Sequence, residues 1–163
     1  MRKEEWLATC LGLGRLPYAP AVWGSLPPVV VYQVLGYLGP SANVFVMTLF
    51  VLAGSFVCVK LVPGALQSMP PERHRTIVAD QLAGQGLTML LIAVLAPTEI
   101  CNSMALGFIT FRLFDIVRPW PCKPLAKQPP GLDLLVPALV AGVYGGVLAI
   151  LAMKFLPTYF GCP

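Results

Sequence analysis

Twenty consecutive residues near the end of the chain carry no charge: LLVPALVAGVYGGVLAILAM, from Leu134 to Met153. As a helix, a run of this length crosses the ~30 Å hydrocarbon core of a bilayer. Inside that core every backbone N–H and C=O must find its partner within the protein, which leaves helices or closed barrels. A second run, Asn43 to Val62, is almost as clean, with Lys60 close to its end. Composition closes the argument, because charged residues are only 11% of the 163. An ordinary soluble domain has about 25%, so this chain lacks the polar side chains to cover a water-facing surface.

Three shorter apolar runs remain, at 28–38, 82–95 and 104–117. Runs this short can be re-entrant or interfacial rather than spanning. The expected threading pairs 28–38 with 43–62 and 82–95 with 104–117, turning at GPSA (39–42) and APTEICNS (96–103). That gives an all-α, multi-span helical membrane protein of about five membrane segments, some short or re-entrant, in a single domain over 1–163.

Basic residues test the threading through the positive-inside rule. Arg2, Lys3 and Arg15 precede the first segment, and Lys60, Arg73 and Arg75 surround the second loop end. Arg118, Lys123 and Lys127 follow the fourth segment, with Arg112 one turn inside it; 39–42 and 96–103 hold no Lys or Arg. The expectation is a cytoplasmic N-terminus and an external C-terminus, Lys154 being the exception.

The net charge of +4 is small and scattered, unlike the clustered excess of a nucleic-acid binder. The cysteines, Cys10, Cys58, Cys101, Cys122 and Cys162, lack zinc or redox spacing and read as small packing residues. The N-terminal twenty residues lack the apolar core and cleavage site of a signal peptide. Gly142 and Gly146, with Ala138 and Ala149 on a similar face, predict close helix packing.

Polar residues gather in three places, all on the expected cytoplasmic face. The Gly/Pro-rich stretch 12–28 reads as loop or broken helix, whose amides and Arg15 could cradle an anion. In RHRTIVADQLAGQ (73–85), Asp80 and Gln81 open an apolar run. Asp80 reads either as a helix-cap residue or as a functional carboxylate, and His74 as a solvated loop residue. In FRLFDIVRPWPCK (111–123), Arg112 and Asp115 stand three apart on one helix face, and Pro119 predicts a helix end at Val117–Arg118. The pair reads either as structural or as functional, since charges at a membrane helix end are costly otherwise. Asp80 and Asp115 at similar depth, with arginines, point to a divalent metal and a phosphate: Mg²⁺ takes one or two carboxylates plus phosphate oxygens and water.

Taken together, these clusters resemble the phosphatidylglycerophosphatase A family. GRLPYAPAVWGSL (14–26), IVADQLAGQ (77–85), FRLFDIVRPWP (111–121) and LVPALVAGVYGG (135–146) resemble its motifs in order and spacing. The resemblance implies Mg²⁺-dependent hydrolysis of phosphatidylglycerophosphate to phosphatidylglycerol at the bacterial inner membrane, with a multi-pass protein whose site faces the cytoplasm. It implies Asp80 and Asp115 as catalytic and metal residues, with Gln81 a neutral metal ligand. Arg15, Arg112, Arg118 and Lys123 become the substrate phosphate contacts, Arg being suited by its planar fork. The family's partners would be phosphatidylglycerophosphate, anionic lipid and the membrane, with no nucleic acid; the oligomeric state is left open.

Three acidic positions of the family pattern are changed. Gln81 stands where the pattern has Glu, and Pro137–Ala138 where it has paired Asp. Asp133 lies one turn before Pro137, where the pattern has Gly. Two expectations follow: a lipid phosphatase impaired by these losses, or an inactive relative that binds anionic lipid headgroups. A small transporter subunit would need ionisable residues in mid-span, and the clear spans hold none except Lys60.

Overall fold

The computed structural model describes residues 3–10, 12, 14, 19–96, 100–125 and 127–155. Its helices are α1 (Lys3–Ala8), α2 (Pro20–Gly36), α3 (Pro40–Phe56), α4 (Val62–Ser68), α5 (Ala79–Leu95), α6 (Ile100–Val117), α7 (Cys122–Leu125) and α8 (Leu132–Phe155). A π-helical turn, Val57–Leu61, joins α3 to α4, and a 3₁₀ turn, Pro71–Thr76, precedes α5. No strand occurs among the described residues, so the all-α reading holds. Among the described residues, three stretches are long and apolar enough to cross a membrane: Pro40–Ser68, Glu72–Leu95 and Leu132–Phe155. With α2 and α6 they make the five long segments.

Two boundaries differ from expectation. Helix α2 begins at Pro20, within the stretch read as loop, and carries Pro27 and Pro28 inside it. Proline at the first helical position spares an N–H that has no helical partner anyway. Interior prolines are tolerated in membrane helices where neighbours satisfy the freed backbone. The expected turns are also shorter, since α3 starts at Pro40 and α6 at Ile100. Gly39 makes the first turn possible with φ 120, a conformation that costs glycine little for want of a Cβ.

The packing departs further from a chain of hairpins. Helix α5 is the central element, held chiefly against α8 and α3 and then α2, while α6 packs mainly on α8. Glycines set these distances. A Cβ on Gly142 would lie 2.5 Å from the Gly84 carbonyl oxygen, and one on Gly84 would lie 2.6 Å from that of Ala138. Thr88 in α5 donates its hydroxyl to the carbonyl of Gly142 in α8 at 3.0 Å. The small-residue face of α8 is therefore its contact with α5, as its sequence predicts, with Gly146 against Leu91. Cys10, Cys58 and Cys122 are free thiols, and the last two are fully buried; Cys162 and the Cys101 side chain lie outside the described residues.

Candidate active site

At one end of the bundle, α2, α5 and α6 converge on Arg112. Each of its four terminal N–H positions has an acceptor. Nη1 donates to Gln81 Oε1 at 3.0 Å and to Asp115 Oδ2 at 3.2 Å. Nη2 donates to the Ala21 carbonyl and to Ser25 Oγ. Its Nε is buried without a partner among the described residues. The guanidinium also lies 5.7 and 5.6 Å from the ring centroids of Phe108 and Phe111, within the range of cation–π attraction. Arg112 is thus the tie that fixes α6 to α2 and α5, and it holds Asp115 in a pair whose side chains are each 13% exposed.

Gln81 links the two carboxylates. Its Nε2 donates to Asp80 Oδ2 at 3.0 Å and to Asp115 Oδ1 at 3.3 Å. Charge dictates this orientation. Turned over, the amide would set its oxygen against two carboxylates and its NH₂ against a guanidinium. Asp80 itself stands in the first turn of α5, where the helix dipole favours a negative charge. It is 7% exposed, and its carboxylate meets the Gln81 amide of the cluster as well as first-turn backbone N–H groups.

Other sequence candidates take different places. Arg118 is exposed at the end of α6; its Nε donates to the Asp115 backbone carbonyl at 3.4 Å. Its φ of 45 is uncommon for a residue other than glycine. Lys123 falls on α7 with its side chain outside the described residues, and Arg15 lies outside them altogether. His74 sits in the 3₁₀ turn, its Nε2 3.3 Å from the Met69 carbonyl, consistent with a loop residue. Asp133 Oδ1 accepts the N–H groups of Gly131 and Leu134, so its role is closing the first turn of α8. Pro137 and Ala138 are buried on α8, and the Ala138 carbonyl faces Gly84, one turn along α5 from Asp80 and Gln81.

Ser25 and the Ala21 carbonyl escaped the sequence reading. The Gly-Ser-Leu of residues 24–26 was the available signal, but it lay in a stretch read as loop. On a helix, Ala21 and Ser25 share one face, and that face meets Arg112.

The chain matches the family model for phosphatidylglycerophosphatase A over residues 6–153. It belongs to the phosphatidylglycerophosphatase A family. It is similar to the phosphatidylglycerophosphatase A of Escherichia coli (strain K12), 27% identical over 138 residues, which cover 84% of this chain and 76% of that protein. It is also similar to the phosphatidylglycerophosphatase A of Haemophilus influenzae, 28% identical over 151 residues, covering 91% and 87%. No solved structure matches it.

Membership of the phosphatidylglycerophosphatase A family raises the question of Mg²⁺. A hard divalent ion requires oxygen ligands converging on it. Asp80 and Asp115 do converge, but on the NH₂ of Gln81, which donates to both. Gln81 turns its only side-chain oxygen to Arg112 rather than to the two carboxylates' side of the cluster. Among the described residues no three His, Cys, Asp or Glu side chains gather as a metal-holding group. As folded, this set does not fit Mg²⁺.

Proposed function

We propose that this chain is a slow phosphatidylglycerophosphate phosphatase working at the cytoplasmic face of a bacterial inner membrane. Its membership of the phosphatidylglycerophosphatase A family over residues 6–153 carries this reading. The basic residues Lys60, Arg73, Arg75, Arg118 and Lys127 support the orientation: they lie on the segments at the Asp80 end of the helices, whereas Lys154 ends α8.

The reaction breaks the phosphate monoester as water adds to phosphorus and a proton passes to the departing lipid oxygen. Two carboxylates against one guanidinium leave the Asp80–Asp115–Arg112 cluster with one net negative charge, which repels a phosphate dianion. Cations outside the cluster must therefore meet the headgroup. Arg118, at the membrane boundary, is the best placed, with Arg15 and Lys123 as the further candidates. Asp115 is the candidate base, because it is the carboxylate at the α6 end beside Arg118. Its Oδ1 already accepts from the Gln81 amide and its Oδ2 from Arg112, and donors that stabilise the carboxylate weaken it as a base, which is one physical reason for slow turnover.

A second reading is favoured by the same hydrogen bonds. Carboxylates tied up by hydrogen bonds from Gln81 and Arg112 lack a free base, which suits a protein that holds an anionic headgroup on its outer cations without cleaving it. Phosphate release from phosphatidylglycerophosphate in mixed micelles, with Mg²⁺ and with EDTA, separates the two when binding of the same lipid is measured in parallel. Slow release supports the first reading. Binding without release supports the second, and neither signal removes both.

A further inference from the structure

Helices α3 and α5 pack tightly at Gly54, where an added Cβ would lie 2.9 Å from the Ala79 carbonyl oxygen and from Ala83. Gly86 faces Phe50 and Val51 in turn, so the two helices run antiparallel. Alongside this contact is an apolar hollow of ≈ 270 Å³ whose walls include Phe50, Ala53, Val57, Ala79 and Leu82. A second hollow of ≈ 270 Å³, walled by Val46, Leu49, Phe50 and Ala53, shares two of those residues. The hollows form one trough along α3 from Val46 to Val57.

Eleven residue steps at ~1.5 Å each make the trough about 16 Å long. One leaflet of a hydrocarbon core ~30 Å thick is about 15 Å deep. Its inner end lies against Ala79, the residue before Asp80. Its walls carry no charged side chain. Cys10, at that inner end, stays a neutral thiol: burial, and then the charge of Asp80, push its pKa up to about 12. Ala53 is exposed at the rim, on a helix whose outer residues Phe45, Leu52 and Phe56 are 60% exposed or more, so the trough opens sideways into lipid.

We propose that this trough is a binding site for one acyl chain of the phosphate-monoester lipid whose headgroup meets the Asp80 end of the bundle. The proposal rests on the lipid-phosphatase reading and adds where the tail lies. A leaflet-length slot that ends beside the headgroup cluster fixes the depth and rotation of the lipid. Headgroup recognition then does not have to supply all of the binding.

The test uses the full chain in phosphatidylcholine nanodiscs and phosphatidic acid bearing a diazirine in its acyl chain. Crosslinked residues are mapped by mass spectrometry. Labelling is expected at Phe50, Ala53 and Leu82. Excess unlabelled phosphatidic acid should reduce it about tenfold more than the same excess of phosphatidylcholine, a preference of ~1.4 kcal/mol. Ala53→Trp should lower labelling at Leu82 and leave labelling of Leu52, on the outer face, unchanged. Equal competition by phosphatidylcholine would mean that bulk lipid alone fills the trough, and labelling confined to other surfaces would exclude it as a tail site; either result overturns the proposal. Should Ala53→Trp not fold, competition in the parent protein decides. Phosphate release is measured on the same samples with phosphatidylglycerophosphate. Headgroup-selective labelling without release keeps the tail site and removes the hydrolase reading, and release without selective labelling does the reverse.

Discussion

Helices α3 and α5 both belong to stretches able to cross a membrane, and they meet the protein in opposite ways. In the most apolar part of Glu72–Leu95, which contains α5, 72% of the residues are buried; in that of Pro40–Ser68, which contains α3, 17% are. The buried helix is the more polar one, with Asp80, Gln81, Gln85 and Thr88 all facing inward. In water the ordering would be reversed. In a bilayer the lipid tails are as apolar as leucine, so an apolar helix gains little by leaving them. A helix with amides and carboxylates gains a great deal, because only the protein interior offers it partners. The polar face of α5 therefore organises both the bundle and its candidate site.

Arg112→Ala should break this comparison most severely. It would leave the half-buried Asp115 without its cation and strip partners from Gln81, Ser25 and the Ala21 carbonyl. Removing one member of a buried ion pair costs about 3–5 kcal/mol. The expected outcome is a large loss of thermal stability in detergent, together with loss of phosphatidylglycerophosphate binding. Arg112→Lys should recover only part of it, since a single ammonium cannot reach α2, α5 and α6 at once. A variant as stable as the parent would show that the cluster does not hold the three helices together.

The next largest effect concerns what α5 and α8 lack. Gln81→Glu with Pro137→Asp and Ala138→Asp would turn the Gln81 donor into an acceptor and place two more carboxylates beside Gly84. Loss of a general base commonly costs on the order of 10²–10⁴-fold, so restored Mg²⁺-dependent phosphate release should exceed the parent by at least about 100-fold. Equal rates in a repaired protein that still folds, by circular dichroism and gel filtration, would count against an ion site at this place. A parent already as fast as its Escherichia coli relative would show that Asp80 and Asp115 suffice.

Much of this was readable in the sequence, and the limits have physical causes. Asp80, Gln81, Arg112 and Asp115 stood out because charge and amide groups at membrane depth are costly, and the fold brings all four together. The end of α6 at Val117 followed from Pro119, and the α8 contact from Gly142 and Gly146. The start of α2 was missed because Gly and Pro punctuate soluble helices far more strictly than membrane ones. The hairpin pairing was only partly right: α2 touches α3 and α5 touches α6, but the dominant contacts join α5 to α8 and α3. Apolar periodicity marks an inward face without naming its partner. Ser25 and Ala21 reach Arg112 across 87 and 91 residues, and no local pattern encodes a contact at that separation.

The smallest expected effect is the sharpest test of the contrast between α3 and α5. Leu52 on α3 is 60% exposed, whereas Met89 on α5 is fully buried. Shortening a buried Met to Ala typically costs about 2–5 kcal/mol, part of it for the cavity left behind. Met89 touches the place where a Gly107 side chain would sit, so its loss opens space between α5 and α6 that lipid cannot fill. Leu52→Ala leaves no such cavity, because lipid tails flow into the gap and replace the lost contacts. Its expected cost is under about 0.5 kcal/mol, the usual range for a surface change. Thermal unfolding of Leu52→Ala and Met89→Ala in the same detergent measures both. A Leu52→Ala penalty equal to that of Met89→Ala would mean that protein, not lipid, covers the outer face of α3. A second copy of this chain would then be the first occupant to look for, by crosslinking through α3.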